Sequence, residues 1–258
     1  MAEYIDIEKA KTLSGLRLVV PPGRPNPWAE ALKGMCYVKK IPYVRVAKGQ
    51  GHDAALQAWT SQSSAPVAVW NDERPRSTWI EQLYLVERLA PQPALIPNDI
   101  EERTLMLGYC NELCGENGLG WSRRVLALHP TLSNPQSEEA ARAFASYMGG
   151  KYGYDETVVQ TAPEHVARIL GLLDAKLAAQ RAQGRKFFIG EQLSALDIYW
   201  ATFAVLLKPL PPDLCPIPDQ LRTFLTNTDP VIAAATTPAL MAHRDFIYRE
   251  YLELPMDL

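Results

Sequence analysis

KFFIGEQLSALDIYW, residues 186–200, holds the sharpest helix start in the chain. Ser194 is followed three residues later by Asp197, just before an apolar run. This is the pattern of a capping box, with Asp in place of the commoner Glu. Ser194 can accept a bond from the Asp197 amide, and the Asp197 carboxylate can reach back to the Ser194 amide. Leu193 and Ile198 stand where a hydrophobic staple would lie. The run IYWATFAVLL that follows is apolar almost all round, so its helix is expected to be buried and to stop at Pro209. The stretch predicts the pillar of a helical core.

Outward from this helix the pattern stays helical back to Asp99. Asp99 with Glu102 reads as another capping box, opening a helix through Cys114. Gly115, Gly118 and Gly120 interrupt it, and Trp121 to Leu128 resumes. Glu138 to Met148 is helical. Thr161, Pro163 and Glu164 are read as the opening of a long helix, with Val166, Ile169, Leu170, Leu173 and Leu177 on one stripe and Gly184 at its end. Beyond the proline-rich loop after Leu207, helices are expected near 219–225, 230–235 and 238–252.

Upstream of Pro91, Pro93 and Pro97, which make APQPALIPND a stiff linker, the pattern changes. Leu16 to Val20 reads as a buried strand. Pro27 to Lys40 reads as a helix, with Asn26 as N-cap and Pro27 at its first position. Tyr43 to Val46 is a second strand, and His52 to Thr60 a short helix. Ala65 to Trp70 is a third strand that begins beside Pro66. Glu73 to Arg76 is expected as a fourth strand, at an edge because of Pro75. Ser77 is expected to cap the helix TWIEQLYLVERLA. A βαβ unit followed by a hairpin and a helix gives a small mixed sheet with helices on its faces. The reading is therefore α/β plus all-α, with domains at 15–91 and 99–252.

The chain has 258 residues, 47% hydrophobic and 21% charged, which fits a globular protein with a substantial core. Lys and Arg total 26 against 29 Asp and Glu. The net charge of −3 offers no basic surface, so nucleic acid is not expected as a partner. The N-terminal MAEYIDIEKAK is polar and unlike a signal peptide, and no apolar run is long enough for a bilayer. Four cysteines without framework spacing suit a reducing, cytoplasmic setting. Cys110 and Cys114 share a helix face but lack the further ligands a metal would need, so no metal is expected.

The order of elements resembles the soluble glutathione transferase superfamily over nearly the whole chain. Three local features carry the resemblance: the GEQLSALDI box, Ala65-Pro66 before the third strand at the place of the family's cis-proline, and Ser77 before Ile80 in the family's S-x-A-I pattern. The resemblance implies a thioredoxin-like domain followed by a helical bundle, glutathione as co-substrate, and a homodimer.

It also implies roles for particular residues. The backbone of Ala65, before Pro66, would pair with the cysteinyl backbone of glutathione like an added strand. An ordinary trans proline is the alternative. Ser77 at a helix start resembles the site that holds the γ-glutamyl carboxylate, though it can also be a plain N-cap. The family has Glu or Gln before that serine. Arg76 here removes an acidic partner for the ammonium and offers the carboxylate a cation. Trp79 stands where a small residue is usual.

At the place of the family's catalytic Ser, Cys or Tyr stands Asn26. Its amide can donate to a thiolate, but it cannot form a mixed disulfide, which argues against glutaredoxin-like or dehydroascorbate-reducing chemistry. The other role open to Asn26 is that of helix cap alone, and Arg24 either adds positive charge or is a solvated loop residue. Trp28, Tyr109 and Trp121 are candidates to line a site for a small, apolar electrophile. The implied activity is thiolate attack on that electrophile. The other reading is a non-catalytic binding or interaction protein of the same fold.

Overall fold

The structure is a computed structural model that describes residues 3–49 and 51–258. Met1 and Ala2, which begin the polar N-terminal stretch, and Gln50 lie outside the described residues. The chain divides into two compact units. One holds the residues up to Ile96 with Leu210–Ile217 and Phe246–Leu258, and the other holds Pro97–Pro209 and Pro218–Asp245.

In the first unit Leu16–Val20 (β1) is buried at every position because it is the middle strand. Tyr43–Ala47 (β2) pairs parallel on one side and Val67–Trp70 (β3) antiparallel on the other. Between them run Pro27–Val38 (α2) and Ala54–Thr60 (α3), and Trp79–Leu89 (α4) follows. Val19, Val46, Val67 and Val69 share one apolar cluster with Leu56 of α3 and with Ile7 and Ala10 of a short helix, Ile7–Lys11 (α1). Leu18 and Val20 alternate onto the opposite face, and α2 packs on α4.

α1 was not legible in the sequence. Ile5 just before it bonds Arg45 and Ala47 of β2, so backbone groups on the outer edge of β2 are paired. Arg17 of β1, only 3% exposed, holds this corner by donating to the carbonyls of Ala10, Leu13 and Asn71.

Two expectations for this unit are corrected. The fourth strand is a single bridge, Ala68 with Arg76, so the sheet has three strands among the described residues. Pro75 has no N–H to extend a ladder. The cap of α4 is Thr78, one residue after Ser77. Thr78 and Glu81 form the capping box, because only Thr78 has an acid three residues on.

The proline segment after α4 is tied down by one lysine. Lys39 Nζ lies 2.7 Å from each of the Ala90 and Pro93 carbonyls and 2.6 Å from Glu87. Glu87 in turn accepts from Leu95 N at 3.0 Å.

The second unit contains Ile100–Cys114 (α5), Leu119–Ser133 (α6), Glu139–Tyr152 (α7), Glu156–Ala182 (α8), Ala195–Phe203 (α9), Asp219–Leu225 (α10), Pro230–Ala235 (α11) and the first turns of Pro238–Tyr251 (α12). Every residue of α9 is buried, as its all-round apolar sequence predicts, and a short 3₁₀ turn ends it before Pro209. α9 packs on α5, and α6 lies against both α7 and α8.

Both arms of the Ser194–Asp197 box are present. Asp197 Oδ2 accepts from Ser194 N at 2.9 Å and from Ser194 Oγ at 2.8 Å. Its other oxygen lies 3.0 Å from the donating Phe188 N and 2.9 Å from His243 Nε2. Asp197 is 0% and His243 1% exposed, so four hydrogen bonds satisfy one fully buried carboxylate.

Two helix starts differ from expectation. α8 begins at Glu156, where Asp155 caps Thr157, and Pro163 lies inside it. Asp99 caps α5 alone, by accepting from Glu101 N and Glu102 N. The Glu102 carboxylate instead faces Gly190, whose φ of +61° favours glycine.

Candidate functional site

The sheet topology gathers the candidate residues of the first unit. β1 and β3 are antiparallel, with Val19 opposite Val67. The chain leaving β1 toward Asn26 and the chain entering β3 at Pro66 therefore lie at one end of the sheet. β2 runs parallel to β1 and ends there too, where Lys48 N bonds the Val20 carbonyl at 3.0 Å.

Asn26 is the N-cap of α2. Its Oδ1 accepts from Ala29 N at 3.2 Å and its carbonyl from Glu30 N at 2.8 Å. Pro27 has no N–H. The Asn26 Nδ2 amide has no partner among the described residues, so it remains a donor at this position. Arg24 is exposed, and its charge lowers the pKa of Lys48, after the larger effect of burial and against Asp53. Lys48 donates to the Gly49 and Gly51 carbonyls at 2.8 Å each. Two cations thus stand near one another in this region, Arg24 and Lys48.

The Ala65–Pro66 peptide is cis, as the resemblance implies. Ala65 is half-buried, and among the described residues neither its N–H nor its C=O has a hydrogen-bond partner. Ser77 is also half-buried with a hydroxyl unpartnered among the described residues, because Thr78 makes the cap. The Arg76 guanidinium is engaged: it donates to Glu73 at 2.6 Å and to the Arg74 carbonyl, and Glu73 also takes Arg88 at 2.6 Å.

Gln82, which the sequence reading did not single out, is 2% exposed and joins these two segments. Its Nε2 donates to the Pro66 carbonyl at 3.0 Å and to the Arg76 carbonyl at 3.1 Å. Its spacing from Leu85 and Val86, which puts an amide on the apolar face of α4, is the sequence signal for it.

No protein-family model matches the sequence, and no curated protein matches it. Solved structures do match. Ure2p in complex with glutathione is 12% identical with a TM-score of 0.56, over 90% of this chain and 98% of that one. The Tau class glutathione S-transferase of mango, Mangifera indica, is 17% identical with a TM-score of 0.51, over 91% and 98%. The β-etherase LigF of Sphingobium sp. strain SYK-6 is 14% identical with a TM-score of 0.56, over 90% and 99%. The chain has the glutathione transferase fold. In that fold's terms the first unit is the thioredoxin-like part and the second the helical part.

Trp28 lies in the first turn of α2 in the thioredoxin-like unit. Tyr109 on α5 and Trp121 on α6 belong to the helical unit, where Trp121 meets Tyr152 edge-on at 5.1 Å. All three are half-buried.

The four cysteines are free thiols and buried. Burial pushes Cys36 up to about 12 and raises Cys110 and Cys114 well above the ordinary thiol value. None of these three offers a thiolate near neutral pH. Among the described residues no helix is long and apolar enough to cross a membrane.

Proposed function

We propose that the protein is a glutathione transferase-like enzyme that uses the glutathione thiolate to attack a small, apolar electrophile. One observation carries the reading. The Ala65 backbone groups and the Ser77 hydroxyl, unpaired among the described residues, lie in two segments that Gln82 ties together through the adjacent Pro66 and Arg76 carbonyls, on the fold seen in a solved structure with bound glutathione.

In this reading the Ala65 backbone pairs with the cysteinyl backbone of glutathione, and Ser77 beside the α4 start receives the γ-glutamyl carboxylate. Arg76 acts there through its backbone, since Glu73 holds its side chain. Asn26 Nδ2 donates to the sulfur. A thiol with pKa ~8.5 is mostly protonated at neutral pH, so a donor and nearby cations favour the reactive thiolate. The proton leaves to solvent, the sulfur–carbon bond forms, and the electron pair goes to the electrophile or to a departing alkoxide or halide. Trp28, Tyr109 and Trp121 are the proposed acceptor-lining residues. We place the enzyme in the cytoplasm, as a homodimer with a detoxification-type role.

Calorimetric titration with glutathione tests the binding half. Wild type should bind, and Ser77→Ala should bind more weakly. Absence of heat with folded protein at millimolar glutathione refutes the reading. Asn26→Ala tests the chemical half: it should lower turnover and raise the pKa of the bound thiol, followed by thiolate absorbance. Unchanged kinetics and titration rule Asn26 out.

Arg76, in place of the family's Glu or Gln, leaves the γ-glutamyl ammonium without an acid at that position, and its side chain is held by Glu73, which favours a second reading. This is a non-catalytic binding protein of the same fold. Tight glutathione binding with no turnover on a panel of electrophiles would support it.

A further inference from the structure

Gln82 has two partners, and both are carbonyl oxygens. Only the nitrogen of its amide can serve them, which fixes the side chain's orientation. The Pro66 carbonyl has no other partner among the described residues. The Arg76 carbonyl also accepts from Ala68 N at 2.9 Å, while Arg76 N returns a bond of 2.8 Å to the Ala68 carbonyl. One buried amide therefore spans two loops. Ala65 directly precedes the first of its partners, and Ser77 directly follows the second.

We propose that Gln82 is a positioning residue for glutathione: it fixes the spacing between the Ala65 backbone and the Ser77 hydroxyl before the tripeptide arrives. The inference rests on the glutathione-binding reading above. A ligand that must bridge two independently moving loops gives up affinity to order them, and a linkage present beforehand removes that loss. Arg76 fits the same account. Its side chain is held by Glu73, so the loop is registered through its backbone, to Ala68 and to Gln82.

The protein contains a matched control. Gln180 on α8 is 3% exposed, and its Nε2 donates to the Phe187 carbonyl at 3.0 Å and the Gly190 carbonyl at 2.9 Å. It is the same bridge, equally buried, in the other unit.

The experiment compares Gln82→Met and Gln180→Met with wild type, by melting temperature and by calorimetric titration with glutathione. Both variants should melt lower by similar amounts. Gln82→Met should bind glutathione about tenfold more weakly, with Gln180→Met within about twofold of wild type. Wild-type affinity in folded Gln82→Met overturns the inference. So does an equal loss in Gln180→Met, which would make the effect one of general stability. If wild type itself shows no binding, the glutathione reading falls and this inference with it. If Gln82→Met does not fold, Gln82→Asn replaces it. That variant keeps the donor but is one methylene shorter, so it reaches one carbonyl at most. It should show weakened binding, and wild-type affinity there is equally refuting.

Discussion

Replacing Asp197 with asparagine should destabilise the protein more than removing the Ser194 hydroxyl, by a margin that follows from the four bonds at that carboxylate. Oδ2 serves Ser194 N and Ser194 Oγ, and Oδ1 serves Phe188 N and His243 Nε2. An asparagine keeps one oxygen and turns an NH₂ toward the other pair. The Ser194 hydroxyl can rotate to accept, and the His243 ring can change tautomer. A backbone N–H can do neither. In either orientation one buried backbone donor, Ser194 N or Phe188 N, faces another donor. An unsatisfied buried group costs about 1–3 kcal/mol, and the surviving bonds lose their charge-assisted strength, so about 2–4 kcal/mol is expected. Ser194→Ala removes one donor and leaves Asp197 three, for about 0.5–2 kcal/mol. In a chain of this length the larger change corresponds to a drop of roughly 5–10 °C in melting temperature. Thermal scans followed by circular dichroism read both variants. Glutathione affinity, measured below the transition, should stay at the wild-type value in each. A Asp197→Asn cost no greater than that of Ser194→Ala would refute the reasoning. Loss of glutathione binding in a fully folded variant would do the same for the separation of scaffold from site.

Two further outcomes follow from buried charges in the thioredoxin-like unit. Lys39→Met leaves Glu87 without its cation and the Ala90 and Pro93 carbonyls without their donor. It should cost about 3–5 kcal/mol, read from urea midpoints; a loss below 1 kcal/mol would contradict the assigned role. Burial raises the Glu30 carboxyl from its ordinary 4.5 to about 7, against the opposing pull of Lys33. The native state then holds that proton more tightly than the unfolded chain does. The stability this contributes is fully present below pH 4.5 and is lost as pH rises through 7. Glu30→Gln should remove that loss, gaining about 2–3 kcal/mol over wild type above pH 7 and nothing near pH 4. Lys33 keeps the Asp257 carbonyl at 2.7 Å in the variant. Identical pH profiles of melting temperature would show that Glu30 does not titrate in this range.

The sequence was most legible where the determinant is local. Ser194 and Asp197, Asn26 and Pro27, and the apolar run into Phe203 each announce a helix boundary or a buried helix within a few residues. Local signals also misled where two competed. Ser77 and Thr78 are both capping residues, and the acid at Glu81 decides for Thr78. Thr161, Pro163 and Glu164 look like a helix start, yet Asp155 caps the same helix upstream and the helix runs through Pro163. Glu73 to Arg76 follows the Asn71-Asp72 turn as a returning strand would, but a proline within it limits pairing to one bridge. What stayed hidden depends on contacts remote in sequence. His243 meets Asp197 across 46 positions, and Gln82 reaches Pro66 across 16. No periodicity names either residue's partner, because only the folded chain supplies it.

Asn26 is where the scaffold and the proposed chemistry meet. The two roles the sequence left open for it, helix cap and thiolate donor, use different atoms of one amide. Oδ1 is committed to Ala29 N, and that bond orients Nδ2. A serine cap would offer one hydroxyl for both tasks, so accepting from the helix and donating to a sulfur would depend on one rotor. Asparagine separates them, and the cap itself fixes the donor. Asn26→Asp therefore divides the roles more cleanly than alanine does. A carboxylate still caps the helix and suits its positive end, while Nδ2 is gone and a negative charge takes its place beside the sulfur. The expected result is a melting temperature near wild type with a raised thiol pKa and slower turnover. A thiol pKa that does not move in that variant would leave Asn26 as a cap and nothing more.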